Sequence, residues 1–389
     1  MKDWKPYTFN EAVECNPKVT AKKGDIIENC EMEDINPSYK FLYPREGKLY
    51  KGSNSKFQNG DTVFARITPC LENGKIAQVK GLKRNCGIGS TEFFVFRGKK
   101  NISYNDFVYY LSKTNLVRDT AVNSMTGASG RQRADIKAVK KISISLPPPL
   151  TQKRIASILS AYDDLIEVNN QRIKLLEQTA RELYKEWFVR MRFPGYKQAK
   201  FKKGVPISEG EVIYFKDFIK LNRGFDLPED KVVEGIYPVV ASTSIKTYHN
   251  QFKVKAPIIV TGRSGSLGKV QYVNQDGWPH NTALYVKDFK GNEPLYVFYT
   301  MLGMDFESFN SGAGVPTLNQ NHLHKLKLWV AGKLLQEKFK KIAEPMNLQI
   351  ETLQQQNTQL RQIRDRLLPR LISGKLQAKE TTYKKAVIA

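Results

Sequence analysis

Two short segments carry residue types that could do chemistry on nucleotides. Residues 36–39, Asn-Pro-Ser-Tyr, imitate the Asn-Pro-Pro-Tyr signature of amino-methyltransferases, but no glycine-rich cofactor loop accompanies them. Residues 262–269, Gly-Arg-Ser-Gly-Ser-Leu-Gly-Lys, imitate a phosphate loop, but the spacing is one residue too long and Val270 replaces the required Ser or Thr. We expect a turn at the first segment, because Asn-Pro favours turns. At the second we expect a hairpin whose basic, donor-rich tip suits a DNA groove or a phosphate.

The other residues with catalytic or metal-binding potential form no local signature. The histidines lack zinc-site spacing, and we expect surface or hydrogen-bonded roles for them; they are His249, His280, His322 and His324. The cysteines form no C-x-x-C pair, which favours reduced thiols in a cytosol; they are Cys15, Cys30, Cys70 and Cys86. We find no Ser/His/Asp set and no carboxylate pair followed by lysine. We therefore expect no catalytic residue and no metal site, and a protein that binds.

Composition and charge indicate what it binds. The 389 residues hold 62 Lys and Arg against 38 Asp and Glu, a net charge of +24. Hydrophobic residues make up 41%, which is enough for packed cores and excludes a mostly disordered chain. No run of about 18 apolar residues and no apolar leader is present, so we expect a cytoplasmic protein. The basic excess, spread outside a nearly neutral stretch at 151–190, points to a polyanionic partner.

An internal repeat organises the chain. Shifting the sequence by 184 residues overlays the segment from Ala134 on the segment from Leu318, and Gln152 falls on Gln336. Strand-like segments occur at 61–68, 92–97, 140–146, 256–262, 282–288 and 325–330. Short helical segments at 106–114 and 293–302 are interleaved with them. The order is therefore globular, helical, globular, helical.

Both helical parts show apolar residues at alternating steps of three and four, which indicates a coiled-coil seam. The seam residues are Ile166, Asn169, Ile173, Leu176 and Leu183 in the first part and Ile350, Leu353, Asn357, Leu360 and Leu367 in the second. Two such helices pack most economically against each other, and one asparagine in each seam would fix the register. Arg364 is the one charged residue in the seam.

The length of the helical parts suggests a spacer. We expect Pro345 to break the second helix or to begin its long part, and Asp163-Asp164 to cap the matching part of the first. Each long part is then about 28 residues, or roughly 42 Å. One turn of B-DNA is about 34–36 Å, so such a spacer could hold two DNA-reading domains on one side of a duplex. An ordinary amphipathic helix lying on its own domain is the alternative.

The helical parts resemble a known family. Residues 143–195, above all LLEQTARELYKEWFVR, resemble the first conserved region of the specificity subunit of type I restriction–modification enzymes. The C-terminal QLRQIRDRLLPRLISGKL resembles the second conserved region. The resemblance implies an α+β fold: two α/β target-recognition domains in pseudo-twofold repeat, separated by two long antiparallel coiled-coil helices. The implied domains are recognition domains at 1–148 and 194–331, helical spacers at 149–193 and 332–376, and a basic tail at 377–389.

The resemblance also implies a function. Such subunits do no chemistry; they bind a split, asymmetric DNA sequence, one half per recognition domain. They recruit two adenine-N6 methyltransferase (M) subunits, and the restriction/translocase (R) subunits join that complex. S-adenosylmethionine, ATP and Mg²⁺ belong to those partners, so none is expected in this chain. The outer faces near Tyr184, Trp187 and Phe188 are candidates for receiving the methyltransferase, with packing against the neighbouring domain as the alternative.

DNA contacts are expected from polar and basic loop residues, since Arg reads guanine, Asn or Gln reads adenine, and Lys binds phosphate. Residues 48–141 hold 18 basic and 6 acidic side chains, which favours a positive face there. The candidates in the first module are Lys51, Asn54, Lys56, Arg66, Lys75, Arg84, Arg131, Gln132 and Arg133. Those in the second are Ser242, Thr243, Ser244, Lys246, Arg263, Ser264, Ser266, Lys269, Asn281 and Thr282.

Two other classes of function stay open on the sequence. One is a stand-alone DNA-modifying enzyme, a nuclease or methyltransferase whose site is assembled only in space. The other is a helical scaffold protein whose long helices join unrelated partners. Turnover by the isolated chain would favour the first, and complex formation without duplex binding would favour the second.

Overall fold

The computed structural model describes residues 3–263, 267–310, 318 and 323–378. The chain divides into two compact units. Unit one comprises Met1–Gln171 with Leu353–Ala389, and unit two comprises Arg172–Thr352. Each unit therefore combines one globular module with a part of each long helix. The domain boundaries given above, which treat each helix as a segment of its own, stay a prediction.

Unit one is built on three sheets, and its strands form where the sequence is rich in β-branched and aromatic residues. A ribbon pairs Lys5–Thr8 antiparallel with Ser143–Leu146. The central sheet has five strands, in the order Val13–Cys15, Phe93–Gly98, Thr62–Ala65, Ile76–Val79 and Phe41–Leu42. A second sheet has four, in the order Arg45–Leu49, Ile26–Cys30, Gly87–Gly89 and Ser55–Phe57. The helices of the module are Phe9–Ala12, Asn105–Ser112, Asn115–Asn123 and Ile136–Lys140.

Unit two repeats this plan with smaller central and second sheets and one additional ribbon. Its ribbon pairs Gly210–Tyr214 with Lys327–Ala331. The central sheet has four strands, in the order Lys220–Arg223, Ala283–Asp288, Ile258–Gly262 and Val270–Val273. A three-stranded sheet follows the order Ile245–His249, Tyr237–Val240 and Trp278–Pro279, and a short ribbon joins Phe201–Lys202 to Val205–Pro206. Its short helices are Phe215–Phe218 and Pro294–Leu302. The strands and short helices predicted from composition are confirmed in both units.

In unit one a buried glutamine fixes the start of the first long helix. The Gln152 side chain accepts a hydrogen bond from the Tyr104 N–H at 3.0 Å and donates to the Pro147 carbonyl at 2.9 Å. Tyr104 is the N-cap of the helix Asn105–Ser112, and Pro147 follows the ribbon strand. One amide side chain therefore ties together the long helix, a module helix and the ribbon, and it satisfies two backbone groups that would otherwise be buried unpaired.

Gln336 does the same in unit two. Its side chain accepts from the Glu293 N–H at 2.8 Å and donates to the Ala331 carbonyl at 2.7 Å. Glu293 is the N-cap of the helix Pro294–Leu302, and Ala331 ends the ribbon strand. The predicted equivalence of Gln152 and Gln336 is therefore confirmed at the level of individual hydrogen bonds.

The long helices are longer than predicted. The first runs over Pro149–Tyr184 and continues as a π-helical turn at Lys185–Val189, and the second runs over Lys333–Ile372. At 36 and 40 residues they measure about 54 and 60 Å. The predicted break at Pro345 is wrong, because the helix continues through this residue. Pro345 has no N–H to donate to the Lys341 carbonyl, but both residues are exposed to water. Within the described residues no helix is long and apolar enough to cross a membrane.

In unit one the two long helices meet along the predicted seam. Asn169 donates to the Asn357 side chain at 3.0 Å, and Asn357 donates to Asn170 at 2.9 Å. Asp163, earlier in the first helix, contacts Arg364, later in the second, so the helices are antiparallel. The asparagines are buried and each finds its partner on the other helix, which specifies the register as predicted.

The prediction that Asp163 caps the first long helix is wrong, because the helix begins at Pro149 and Asp163 lies in its interior. Its carboxylate accepts hydrogen bonds from Arg364 and from the Tyr110 hydroxyl, both at 2.5 Å. The side chains of Asp163 and Arg364 are only 1% and 5% exposed. Arg364, the one charged seam residue, is therefore neutralised by a carboxylate on the opposite helix.

The seam residues differ in their burial. Those that are buried are Ile166, Asn169, Ile350, Leu353 and Asn357. Those that are half-buried are Ile173, Leu176, Leu183, Leu360 and Leu367. In unit two Tyr184, Trp187 and Phe188 are buried and pack around Phe339. For these three aromatics the structure supports the alternative of core packing, and they do not form an exposed docking face.

We predict that Arg364→Ala lowers the free energy of unfolding by about 3–5 kcal/mol, because it leaves the Asp163 carboxylate buried without a cation. Urea unfolding followed by circular dichroism measures the effect. The matched control is Arg366→Ala, an exposed arginine on the same helix, which should change stability by less than about 0.5 kcal/mol. Equal losses in the two variants would contradict the assigned role of the ion pair.

Candidate nucleic-acid interface

Arg66 is held rigidly at the end of a central strand of unit one. It follows the strand Thr62–Ala65; its N–H donates to the Glu92 carbonyl at 3.0 Å, and its own carbonyl accepts from the Ala134 N–H at 2.8 Å. The guanidinium carbon lies 5.4 Å from the ring centre of Phe94. The backbone of this arginine is therefore fixed before any ligand arrives, and its guanidinium lies near an aromatic ring.

Glu92 gathers a second arginine at the same place. Its carboxylate accepts three hydrogen bonds from Arg133, at 2.9 and 3.1 Å from Nε and at 2.7 Å from Nη2. It also lies 3.3 Å from Nε of Arg66. Hydrogen bonds from Arg133, together with the charges of both arginines, lower the pKa of Glu92. The Gln132 carbonyl accepts from the Thr68 N–H at 3.0 Å, which brings the segment of residues 131–133 beside Arg66. We call Arg66, Glu92, Gln132 and Arg133 the unit-one cluster.

Arg263 occupies the equivalent position in unit two. It follows the central strand Ile258–Gly262; its N–H donates to the Thr282 carbonyl at 3.0 Å, and its carbonyl accepts from the Leu318 N–H at 3.0 Å. Leu318 corresponds to Ala134 in the 184-residue repeat. Arg263 therefore has the same backbone connections as Arg66, and Thr282 stands where unit one has Glu92.

The side chains around Arg263 differ from those around Arg66. Nε of Arg263 donates to the Asn281 carbonyl at 3.2 Å, and the Asn281 side chain donates to Asp226. Nδ1 of His280 lies 3.2 Å from the Thr282 hydroxyl. The groups near this arginine are thus a backbone carbonyl, an asparagine bound to an aspartate, a hydroxyl and an imidazole, where unit one has a carboxylate bound to a second guanidinium.

His280 joins this site to the preceding turn. The backbone N–H of His280 donates to the Val240 carbonyl at 2.8 Å. The Ala241 N–H donates to the Ser244 carbonyl at 3.0 Å and closes the turn that holds Ser242 and Thr243. Burial, and then the nearby Lys246, lower the pKa of His280. The imidazole is therefore neutral at pH 7 and acts as a hydrogen-bonding group. We call Arg263, His280, Asn281 and Thr282 the unit-two cluster.

The other predicted DNA-contact residues lie in several places. Those that are exposed are Lys51, Arg84, Arg131, Ser244, Lys246 and Lys269, of which Lys246 pairs with Glu229 at 3.0 Å. Some are held by their own module: Asn54 donates to the Gly89 carbonyl at 3.1 Å, Lys75 donates to the Met32 carbonyl at 2.8 Å, and Lys56 lies 5.9 Å from the Tyr50 ring centre. Ser264 and Ser266 lie outside the described residues.

Three residues of these sites were missed by the sequence reasoning. They are Glu92, Asp226 and His280. The signal for Glu92 was present, because it is the first residue of a predicted strand, as the predicted Thr282 is. The prediction named basic and uncharged polar loop residues, so this carboxylate was left out, whereas here it binds Arg133. Within the described part of the chain no group of His, Cys, Asp and Glu could hold a metal ion.

Comparison with known proteins places these clusters in a family context. The chain matches the family model described as type I restriction modification DNA specificity domain over residues 1–178 and 208–362. It is 25% identical over 306 residues to the MjaIX specificity subunit of Methanocaldococcus jannaschii, covering 71% of this chain and 70% of that protein. It is 27% identical over 205 residues to the EcoAI specificity subunit of Escherichia coli, covering 47% of this chain and 35% of that protein.

A solved structure shares the fold. The crystal structure of the S subunit of the type I restriction–modification system of M. genitalium aligns with a TM-score of 0.55 at 17% identity. The alignment covers 95% of this chain and 96% of that one. The α+β architecture predicted from the sequence is thereby confirmed.

We predict that Glu92→Gln lowers stability by about 1 kcal/mol at pH 7, since the carboxylate there is partly exposed and bound to arginine. The pKa of Glu92 is lowered on folding, so its contribution is complete above the ordinary value of 4.5 and is lost as the pH falls through the lower folded value. The difference in melting temperature between wild type and variant should therefore shrink below about pH 4.5. Glu46→Gln, at an exposed glutamate, is the control; a difference that persists unchanged at pH 3 would contradict the prediction.

Proposed function

Because the chain belongs to the family of type I restriction–modification specificity subunits, we propose that it reads a bipartite, asymmetric DNA site, one half with each unit. The observation that carries this proposal is the pair Arg66 and Arg263. Each sits at the same backbone position of its own module, fixed by the same two hydrogen bonds. An arginine on such a fixed backbone is well suited to pair its guanidinium with O6 and N7 of guanine in the major groove.

The differences between the clusters support the asymmetry of the site. In the unit-one cluster Glu92 and Arg133 surround the arginine, and in the unit-two cluster Asn281 and Thr282 do so. Carboxylate oxygens accept hydrogen bonds from cytosine N4, whereas hydroxyl groups serve either kind of base edge. Two modules with one backbone plan and different side chains would therefore select different base pairs.

Affinity is expected to come mainly from phosphate contacts. Exposed lysines such as Lys51 and Lys269 and the net charge of +24 suit the backbone of a duplex. Such contacts position the protein and carry the salt dependence, while the two clusters specify the sequence.

We propose that partner subunits carry out the methylation and restriction reactions. The relatives are named specificity subunits of restriction enzymes, and we infer that this chain recruits two adenine-N6 methyltransferase subunits and the restriction/translocase subunits. S-adenosylmethionine, ATP and Mg²⁺ would be bound by those partners. The role of this chain is then to bind and orient the DNA for them.

The proposal predicts separable effects of the two arginines. In a complex reconstituted with the methyltransferase subunits, Arg66→Ala should relax the sequence preference in one half-site and Arg263→Ala in the other. Each loss should be about 1–3 kcal/mol, or roughly 5- to 150-fold in the rate on the original site. Methylation of a library of duplexes followed by sequencing measures it. Lys174→Ala, at an exposed helix residue, is the control; relaxation of the same half-site by both arginine variants would contradict the proposal.

A test in the cell covers the function as a whole. Methylome sequencing with this gene intact and deleted should show one bipartite N6-methyladenine motif that disappears on deletion. If no motif changes, binding of a duplex by the purified chain decides between an unpaired specificity subunit and the scaffold alternative. Methylation or cleavage by the isolated chain would establish the enzyme alternative and overturn the proposal.

A further inference from the structure

Unit one contains a cavity of about 850 Å³ away from the residues of the unit-one cluster. Its walls are the turn at Pro37-Ser38, residues 72–74, the start of the helix Asn115–Asn123, the ribbon residues 143–145 and the last turns of the second long helix. The turn belongs to the Asn-Pro-Ser-Tyr segment, where Ser38 N–H donates to the Asn36 side chain at 2.9 Å, as predicted for a turn. All lining residues belong to unit one.

The cavity wall carries an excess of positive charge. Its cations are Lys113, Arg118, Arg361 and Arg364, and its anions are Glu72 and Asp365. Arg364 is neutralised by Asp163 and Asp365, and Glu72 is exposed. The other three cations have no carboxylate partner among the ion pairs of the described residues.

These three cations have only weak partners. Nζ of Lys113 donates to the Pro37 carbonyl at 3.3 Å, and Nη2 of Arg118 donates to the Glu72 carbonyl at 3.3 Å. The Arg361 guanidinium lies 5.6 Å from the ring centre of Tyr39. Carbonyl oxygens and a ring face solvate cations but do not neutralise them.

Buried donors in the same wall lack acceptors. Nε of Arg118 and Nε of Arg361 are inaccessible to solvent and make no hydrogen bond within the described structure. A buried donor without an acceptor costs about 1–3 kcal/mol, so neither guanidinium is fully satisfied by contacts within the chain. The helix Asn115–Asn123 also begins here, and its N-cap Thr114 donates its hydroxyl to the Leu111 carbonyl and does not cap the helix N–H groups.

We propose that this cavity binds a phosphorylated small molecule, with the phosphate held by Lys113, Arg118 and Arg361 at the start of the helix Asn115–Asn123. Guanidinium groups and helix N-termini match the several oxygens of a phosphate. The wall also holds apolar residues, including Leu111, Ile144, Leu368 and Ile372, which accommodate an organic part. The volume lies within the range of small-molecule sites, about 300–1,000 Å³.

Isothermal titration calorimetry of the full chain with inorganic pyrophosphate and with ADP, at constant ionic strength, tests the proposal. Both probes should bind with one-site stoichiometry. Arg118→Gln and Arg361→Gln should each weaken binding by about tenfold or more, since each removes a charge-assisted contact. Arg366→Gln, outside the cavity on the same helix, should leave binding within about twofold, and circular dichroism of every variant checks the fold.

The outcomes separate this site from others. If Arg366→Gln weakened anion binding equally, the anion would bind through net charge, and the proposal would be overturned. If the double variant Arg66→Ala, Arg263→Ala weakened it equally, the anion would bind in the proposed DNA sites, and the proposal would again be overturned. Absence of binding at a probe concentration of about 10 mM, roughly ten times the Kd of a millimolar site, would also overturn the proposal. Binding of citrate as tight as that of pyrophosphate would show a carboxylate site and overturn the phosphate assignment. None of these measurements uses DNA, so their outcome for the cavity does not depend on whether the proposed DNA-reading function is correct.

The pH dependence provides a second readout. Burial, with help from the Arg364 and Arg118 charges, lowers the pKa of Lys113 to about 8, while Asp163 and Asp365 oppose this shift. Lys113 therefore loses its proton as the pH rises through about 8, and its attraction for an anion is lost. Sulfate, whose charge does not change in this range, should bind several-fold more weakly at pH 9 than at pH 7. Lys113→Gln should remove this difference; a pH dependence that survives the substitution would contradict the role of Lys113.

Discussion

The buried contact between Asp163 and Arg364 is the constraint on which unit one depends. Two charges that are almost inaccessible to water cost several kcal/mol to desolvate, and a single ion pair returns little more than that cost. Its value is in specificity, because a shift of one heptad in either direction would set this carboxylate against Asn357 or Leu371. The Asn169–Asn357 pair imposes the same register two turns away. Together they make the beginning of the chain and its last helix parts of one unit.

The two units show how one frame can carry two different surfaces. The glutamines Gln152 and Gln336 anchor each long helix to its module through the same backbone groups, and Arg66 and Arg263 share their backbone partners as well. These contacts use main-chain atoms, so they place no demand on the neighbouring side chains. The side chains around the arginines are therefore free to differ, as Glu92 and Thr282 do. A rigid frame with variable side chains suits a protein whose task is discrimination.

Much of this fold could be predicted from the sequence, and the reasons for success and failure are physical. The seam was predictable because the burial of one helix face imposes a period that a single sequence displays, and the seam asparagines were correctly matched. Pro345 and Asp163 were misjudged because each was read by its local preference. A proline inside a helix costs about 3 kcal/mol, which the other contacts of a 40-residue helix offset. A buried aspartate is stable where a distant arginine meets it. No local rule reports either circumstance.

The candidate site was less predictable than the fold. Arg66 and Arg263 were found because strand ends and basic loops are visible in the sequence. The convergence of Glu92 with Arg66 and Arg133 depends on contacts between residues that are distant along the chain. The contribution of Glu92 is orientation, which composition does not reveal. Which of the remaining polar residues contact bases stays a prediction, since loop residues in both modules satisfy the same compositional rule.

The asymmetry of the seam has a consequence for how such a repeated chain can diverge. If two copies of the first long helix paired in the register seen in unit one, the 184-residue repeat would set Asp163 against Ala180 and Asn169 against Ile173. Two copies of the second would set Arg364 against Asn347 and Asn357 against Leu353. Every buried polar group of the seam would lose its partner in both cases. Each half of the repeat therefore needs the other half for a seam in which every buried polar group has a partner.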